Sequence, residues 1–194
     1  MRIVVLYSFL LFIVCSCSNQ KKTNTSLVTQ DTAAIKQNFF PVTNYIKGQL
    51  FEIKQAGINP LKYITINGIT DSVWIKVEDI DRLSSEFLYP EIDSSNLTMF
   101  FSEKNFLDQT INAFTFTYDP IGLLPDSIKL RHWDVYIDAE SGKVKRIYLV
   151  KEISKSEILQ LTWQSNKYFK ITSIITDDSG NSSIKKEEKV TWDF

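Results

Sequence analysis

Apolar and polar residues alternate through the middle of the chain. Trp133, Val135 and Ile137 alternate with His132, Asp134, Tyr136 and Asp138. Such a period of two places one set on each face of a β-strand. Past residues 139–142, Ile147 and Leu149 alternate with Arg146, Tyr148 and Val150. The two runs predict a hairpin, with Gly142 supplying a loop position of positive φ and Asp138 and Ser141 bonding loop amides. A four-residue loop with plain pairing sets Arg146 opposite Val135. A one-residue bulge sets Ile147 there instead, and it is the expected register because it keeps the apolar set on one face.

Earlier in the chain the period lengthens. Val42, Tyr45, Ile46, Leu50 and Ile53 form a helical stripe behind Pro41, and Gly57 with Asn59-Pro60 ends it. Residues 61–66 and 69–75 predict a hairpin about Asn67-Gly68. Val77, Ile80, Leu83, Phe87 and Leu88 predict a second helix, stopped at Tyr89-Pro90, and Asp93 caps a short third helix running to Phe100. Strands follow around Phe114 and Phe116, Leu159 to Trp163, Phe169 to Ile175, and Val190 to Phe194. Residues 185–189, Lys-Lys-Glu-Glu-Lys, suit an edge strand guarded by charge. The expected class is α+β: N-terminal helices packed on an antiparallel meander sheet of about six or more strands.

The front end is different. Met1-Arg2 precedes an apolar run over residues 3–14, too short for a bilayer crossing of about 20 residues and suited to a signal peptide. Val14-Cys15-Ser16-Cys17 resembles a bacterial lipobox, with Cys17 as acceptor. That resemblance implies that residues 1–16 are removed and that Cys17 is acylated, so the protein is held at a membrane through its lipid anchor. No Asp follows Cys17, which by the same resemblance implies the outer membrane, facing the periplasm. Residues 18–37 are polar and read as a tether, with a reach of about 25 Å as a coil. The single globular domain then spans residues 38–194.

Composition narrows the chemistry. The net charge of −1 argues against a general nucleic-acid binder. Both cysteines lie within the first 17 residues, leaving the domain without a thiol nucleophile or thiolate metal site. His132 is the one histidine, so no multi-histidine metal site can form. A catalytic pair could use only His132 with Asp134, and two residues along one strand lie roughly 7 Å apart, which favours side-by-side exposure over a bond between them. No metal or cofactor is expected, and an enzyme is not.

Two further resemblances bear on function. Residues 138–144, Asp-Ala-Glu-Ser-Gly-Lys-Val, resemble the strand–turn–strand signature of PepSY-like envelope domains. This implies a non-catalytic module that binds or inhibits an envelope protein partner. In size and in its helix-then-strands order the chain is similar to LolA/LolB-like lipid carriers. This implies a curved sheet around an apolar ligand, with Phe114, Phe116, Trp133, Trp163 and Trp192 lining the cavity or filling an ordinary core. The candidate binding surface is His132, Asp134, Tyr136, Arg146 and Tyr148, all on the second face of the central hairpin if the bulged register holds.

Overall fold

The computed structural model describes residues 38–192. The proposed signal peptide, Cys17, the tether up to residue 37 and Phe194 lie outside the described residues.

A single antiparallel sheet of nine strands organises the rest. In chain order these are β1 Leu61–Ile66, β2 Ile69–Trp74, β3 Phe101–Asp108, β4 Ala113–Pro120, β5 Leu130–Asp138, β6 Val144–Ser154, β7 Glu157–Gln164, β8 Tyr168–Thr176 and β9 Ser182–Thr191. Strands β3 to β9 form a continuous meander, and the hairpin β1–β2 joins it through β1, which pairs antiparallel with β9. The edges of the sheet are therefore β2 and β3.

The central hairpin takes the bulged register. Val135 stands opposite Ile147 and Trp133 opposite Leu149, while the pairing slips between Tyr136–Arg146 and Ile137–Val144. Lys145 is the extra residue. Gly142 has φ 67°, and Asp138 Oδ1 accepts from the Ser141 amide at 2.8 Å. The β1–β2 turn follows the same logic, with Asn67 and Gly68 both at positive φ.

Helix α1, Val42–Ala56, buries Val42, Ile46, Leu50 and Ile53, and Gly57 closes it in the left-handed conformation. Each such side chain stabilises the fold by roughly 1.5–3 kcal/mol. These residues join one core with Trp133, Trp163, Leu149, Leu161 and Phe169 from the sheet. Tyr118 stacks on Trp133 at 4.5 Å between ring centres, and Phe169 stacks on Trp163 at 5.5 Å. Polar bonds pin α1 to the sheet. The Tyr45 hydroxyl donates to Ser165 Oγ at 2.8 Å, and the Asn166 amide donates to Gln49 Oε1 at 2.9 Å.

Three expectations need correction. The protein is mostly β, because the second helix is not continuous. It is a 3-10 turn at Val77–Asp79, the four-residue α2 at Ile80–Leu83, and a second 3-10 turn at Ser85–Phe87. Its apolar residues still face inward, with Ile80 and Phe87 fully buried. Second, Asp93 caps a run of turns, not a helix. Its Oδ1 accepts from the amides of Ser95 and Asn96, at 2.6 and 2.7 Å, and no helix follows before β3. Third, β9 is not an edge strand, since it lies between β8 and β1. Its charges find partners on both faces. Lys62 and Lys186 flank Glu188, and Lys170 pairs with Glu187.

Candidate functional site

The sheet has one face covered by the helical segments and one left open. On the open face, direct cross-strand pairs bring Thr117 beside Asp134 and Asp134 beside Tyr148, with Tyr136 beside Arg146. Side chains directly opposite in adjacent strands share a face. The five residues singled out from the sequence thus stand together on β5 and β6, and Thr117 and Asp119 of β4 join them.

His132 and Asp134 interact directly, contrary to the expectation from strand spacing. His132 Nε2 lies 3.1 Å from Asp134 Oδ2. His132 Nδ1 bonds Asp119 Oδ1 at 2.9 Å, so the imidazole spans two carboxylates on adjacent strands. Asp134 is 8% exposed and also accepts from Thr117 Oγ1 at 2.7 Å and from the Tyr136 hydroxyl at 3.1 Å. The bond with Asp134 raises the His132 pKa above its ordinary value; burial opposes this, and Asp119 adds to it. Burial works against ionisation of Asp134, yet the bonds from His132, Thr117 and Tyr136 hold its carboxyl below the usual range. Burial pushes the Tyr136 and Tyr148 phenols up, and the Asp134 charge adds to both shifts.

Arg146 is arranged differently. Its guanidinium lies over the Tyr136 ring at 4.0 Å. Its Nε is buried and faces no acceptor, and it takes part in no ion pair among the described residues, whereas the neighbouring Lys145 Nζ lies 3.4 Å from Asp138 Oδ2. Two adjoining depressions share Tyr136 and Arg146. One, of about 290 Å³, is completed by Asp134, Tyr148 and Thr162. The other, of about 330 Å³, is completed by Ile111, Lys145 and Gln164. The bulge explains this second set. One extra residue in β6 lets the consecutive Lys145 and Arg146 line the same depression.

A larger cavity, of about 380 Å³, lies on the covered face. It sits beside α2 and the following 3-10 turn, over β7, β8, β9 and β1. None of its lining comes from α1, whose apolar stripe is closed against the sheet. Phe169, Ile171, Val190 and Leu159 contribute apolar surface, and Lys62, Lys186 and Glu188 contribute charge. Burial opposes the charge on Glu188, but Lys62 and Lys186 keep its carboxyl below the ordinary range. Of the aromatics considered as cavity lining, Trp133 and Trp163 are core residues, and Phe114 is half-exposed.

Sequence reasoning missed Lys151. It is 3% exposed on the covered face, and its ammonium donates to the Glu86 carbonyl and to Glu86 Oε2, the latter at 2.9 Å. It fastens the segment after α2 to β6. The available signal was its position in the period-two pattern, in phase with Ile147 and Leu149.

Among the described residues, no three His, Cys, Asp or Glu side chains are placed to hold a metal ion, and no helix is long and apolar enough to cross a membrane. Fold and site together define a single-sheet, mostly β protein with one open polar–aromatic face. Comparison with protein-family models, with curated proteins and with solved structures finds no match to this chain.

Proposed function

We propose that this protein is a non-catalytic binding module, anchored to the envelope through acylated Cys17, that docks an anionic group of a partner protein on its open sheet face. The helical segments on the N-terminal side cover one face of the meander, leaving the other free to bind. Arg146 carries the reading. It is a cation with no countercharge within ion-pair distance among the described residues, braced on Tyr136 and set between two depressions. Arginine held flat on an aromatic ring presents its remaining donors at little entropic cost, the arrangement that suits carboxylate or phosphate. Lys145, which lines one of the depressions, is already paired with Asp138 Oδ2 at 3.4 Å and donates to the Ile111 carbonyl at 2.9 Å, so the reading rests on Arg146.

The His132 geometry supports binding over chemistry at this face. Both ring nitrogens face carboxylates, so neither is free to take a proton from a substrate. His132 instead braces Asp134, which in turn accepts from Tyr136 beneath Arg146.

The test is capture of partners from envelope extract by the wild type and by an Arg146→Ala, Tyr148→Ala double variant of equal thermal stability. The double variant is expected to lose the bound proteins that the wild type retains. Identical capture profiles would remove the open face from consideration.

A further inference from the structure

We infer that the cavity on the covered face is a binding site for a single-chain, monoanionic amphiphile of the fatty-acid carboxylate type. The site is separate from the open face, and either can fail without the other.

The placement of charge is the first observation. Lys62, Lys186 and Glu188 project from the covered face of β1 and β9, the face that elsewhere carries Trp133, Leu149 and Trp163. Glu188 pairs across the sheet with Ile171 on one side and Ile64 on the other. A closed core does not accept such groups, because taking charges out of water costs more than pairing returns unless the geometry is very good. These three charges line an opening instead.

The second observation is how the charges pair. Lys62 Nζ lies 2.5 Å from Glu188 Oε1, and Lys186 Nζ lies 2.9 Å from Glu188 Oε2. One carboxylate therefore serves two ammonium groups. The other charges on the lining have partners of their own: Glu86 with Lys151, and Arg82 with Asp79. One positive charge is left over at the Lys62–Glu188–Lys186 cluster, and an incoming monoanion would balance it.

The third is the apolar lining. Phe169 and Val190 are fully buried and Leu159 and Ile171 are partly so, with Leu83 of α2 also on the wall. A volume of about 380 Å³ falls near the lower end of ligand pockets, which run from about 300 to 1,000 Å³. That is room for one alkyl chain. This apolar strip beside one surplus cation, in a pocket that is otherwise polar and open on one side, fits an alkyl carboxylate laid along it.

The full-length Cys17→Ser chain, which carries no acyl anchor, would be titrated in detergent-free buffer with octanoate, decanoate, dodecanoate, decanol and decyltrimethylammonium. Tryptophan emission is the readout, since Phe169 of the lining stacks on Trp163 and packs against Trp192. Saturable binding is expected, tightening about fourfold per added methylene until the cavity is full. Decanoate should bind at least tenfold more tightly than decyltrimethylammonium. A Lys62→Met, Lys186→Met double variant should erase or reverse that preference and still bind decanol. Filling the cavity from either wall, by Ile171→Trp or by Leu83→Trp, should abolish the response, and the two variants guard against a folding failure in one. No saturable response in the Cys17→Ser parent, equal affinity for the anionic and cationic probes, or an undiminished response in a folded filling variant would each overturn the assignment.

Discussion

His132 Nε2 and Asp134 Oδ2 stand 3.1 Å apart although the two residues are neighbours on one face of a single strand. The bond makes stability depend on pH in a defined window. The His132 pKa is raised in the fold, so its contribution is fully present below the unfolded value of about 6.5 and is lost as pH rises through the folded value. Asp119 and Asp134 are lowered, so their contributions are present above about 3.9 and are lost as pH falls through their folded values. Urea midpoints of the wild type should decline on going from pH 6 to alkaline pH. Those of His132→Gln should stay level over that interval, and parallel curves would contradict the linkage.

Lys151 and Glu86 should respond unequally to mutation. Removing Glu86 leaves a buried ammonium without its countercharge, which costs about 3 kcal/mol. Lys151→Met removes the charge itself and leaves only a carbonyl unpaired and a half-exposed carboxylate, a loss of about 1–2 kcal/mol. Chemical denaturation of the two single variants should place Glu86→Ala below Lys151→Met in stability.

Gly142 holds φ 67° with open space where a Cβ would stand. The penalty for a side chain there is therefore conformational and not steric contact. Gly142→Ala should cost about 1 kcal/mol, and Gly142→Asn less, because asparagine tolerates the left-handed region. Equal midpoints for all three proteins would contradict a strained turn.

Acylation at Cys17 is expected to leave a mature chain that begins at that residue. Mass spectrometry of the native protein should find the first 16 residues absent and the mass increased by acyl chains. Cys17→Ser should move the protein from the detergent phase to the aqueous phase in a phase split. A wild-type chain that stays aqueous would remove the anchor from the proposed function.

Much of the sheet was legible in the sequence because strands β4 to β8 each have one mainly apolar set and one mainly polar set. The bulge in the central hairpin was legible for the same reason, since only that register keeps Ile147 on the side of Val135. The broken second helix was not. Val77, Ile80, Leu83 and Phe87 recur every three or four residues, and a 3-10 turn repeats every three, so spacing alone does not separate the two.

Strand β3 escaped for another reason. It pairs only with β4, and Phe106 and Leu107 are both substantially exposed, so neither face imposes a clean alternation. The charges of β9 looked like edge protection because their partners Lys62 and Lys170 lie far off in sequence or on the neighbouring strand. The candidate site was visible as a set of residues on one face. The His132–Asp134 bond was not, because backbone spacing fixes Cα positions and says little about where two side-chain tips meet.

The pairing of β1 with β9 has a consequence for how the chain reaches its native state. Residues 61–65 find their inner neighbour only in residues 187–191, so a nascent chain emerging from the ribosome must hold its first hairpin unsupported until β9 has been made. The sheet closes only when β9 arrives, and a chain stopped before that strand would carry β1 with its inner edge unprotected.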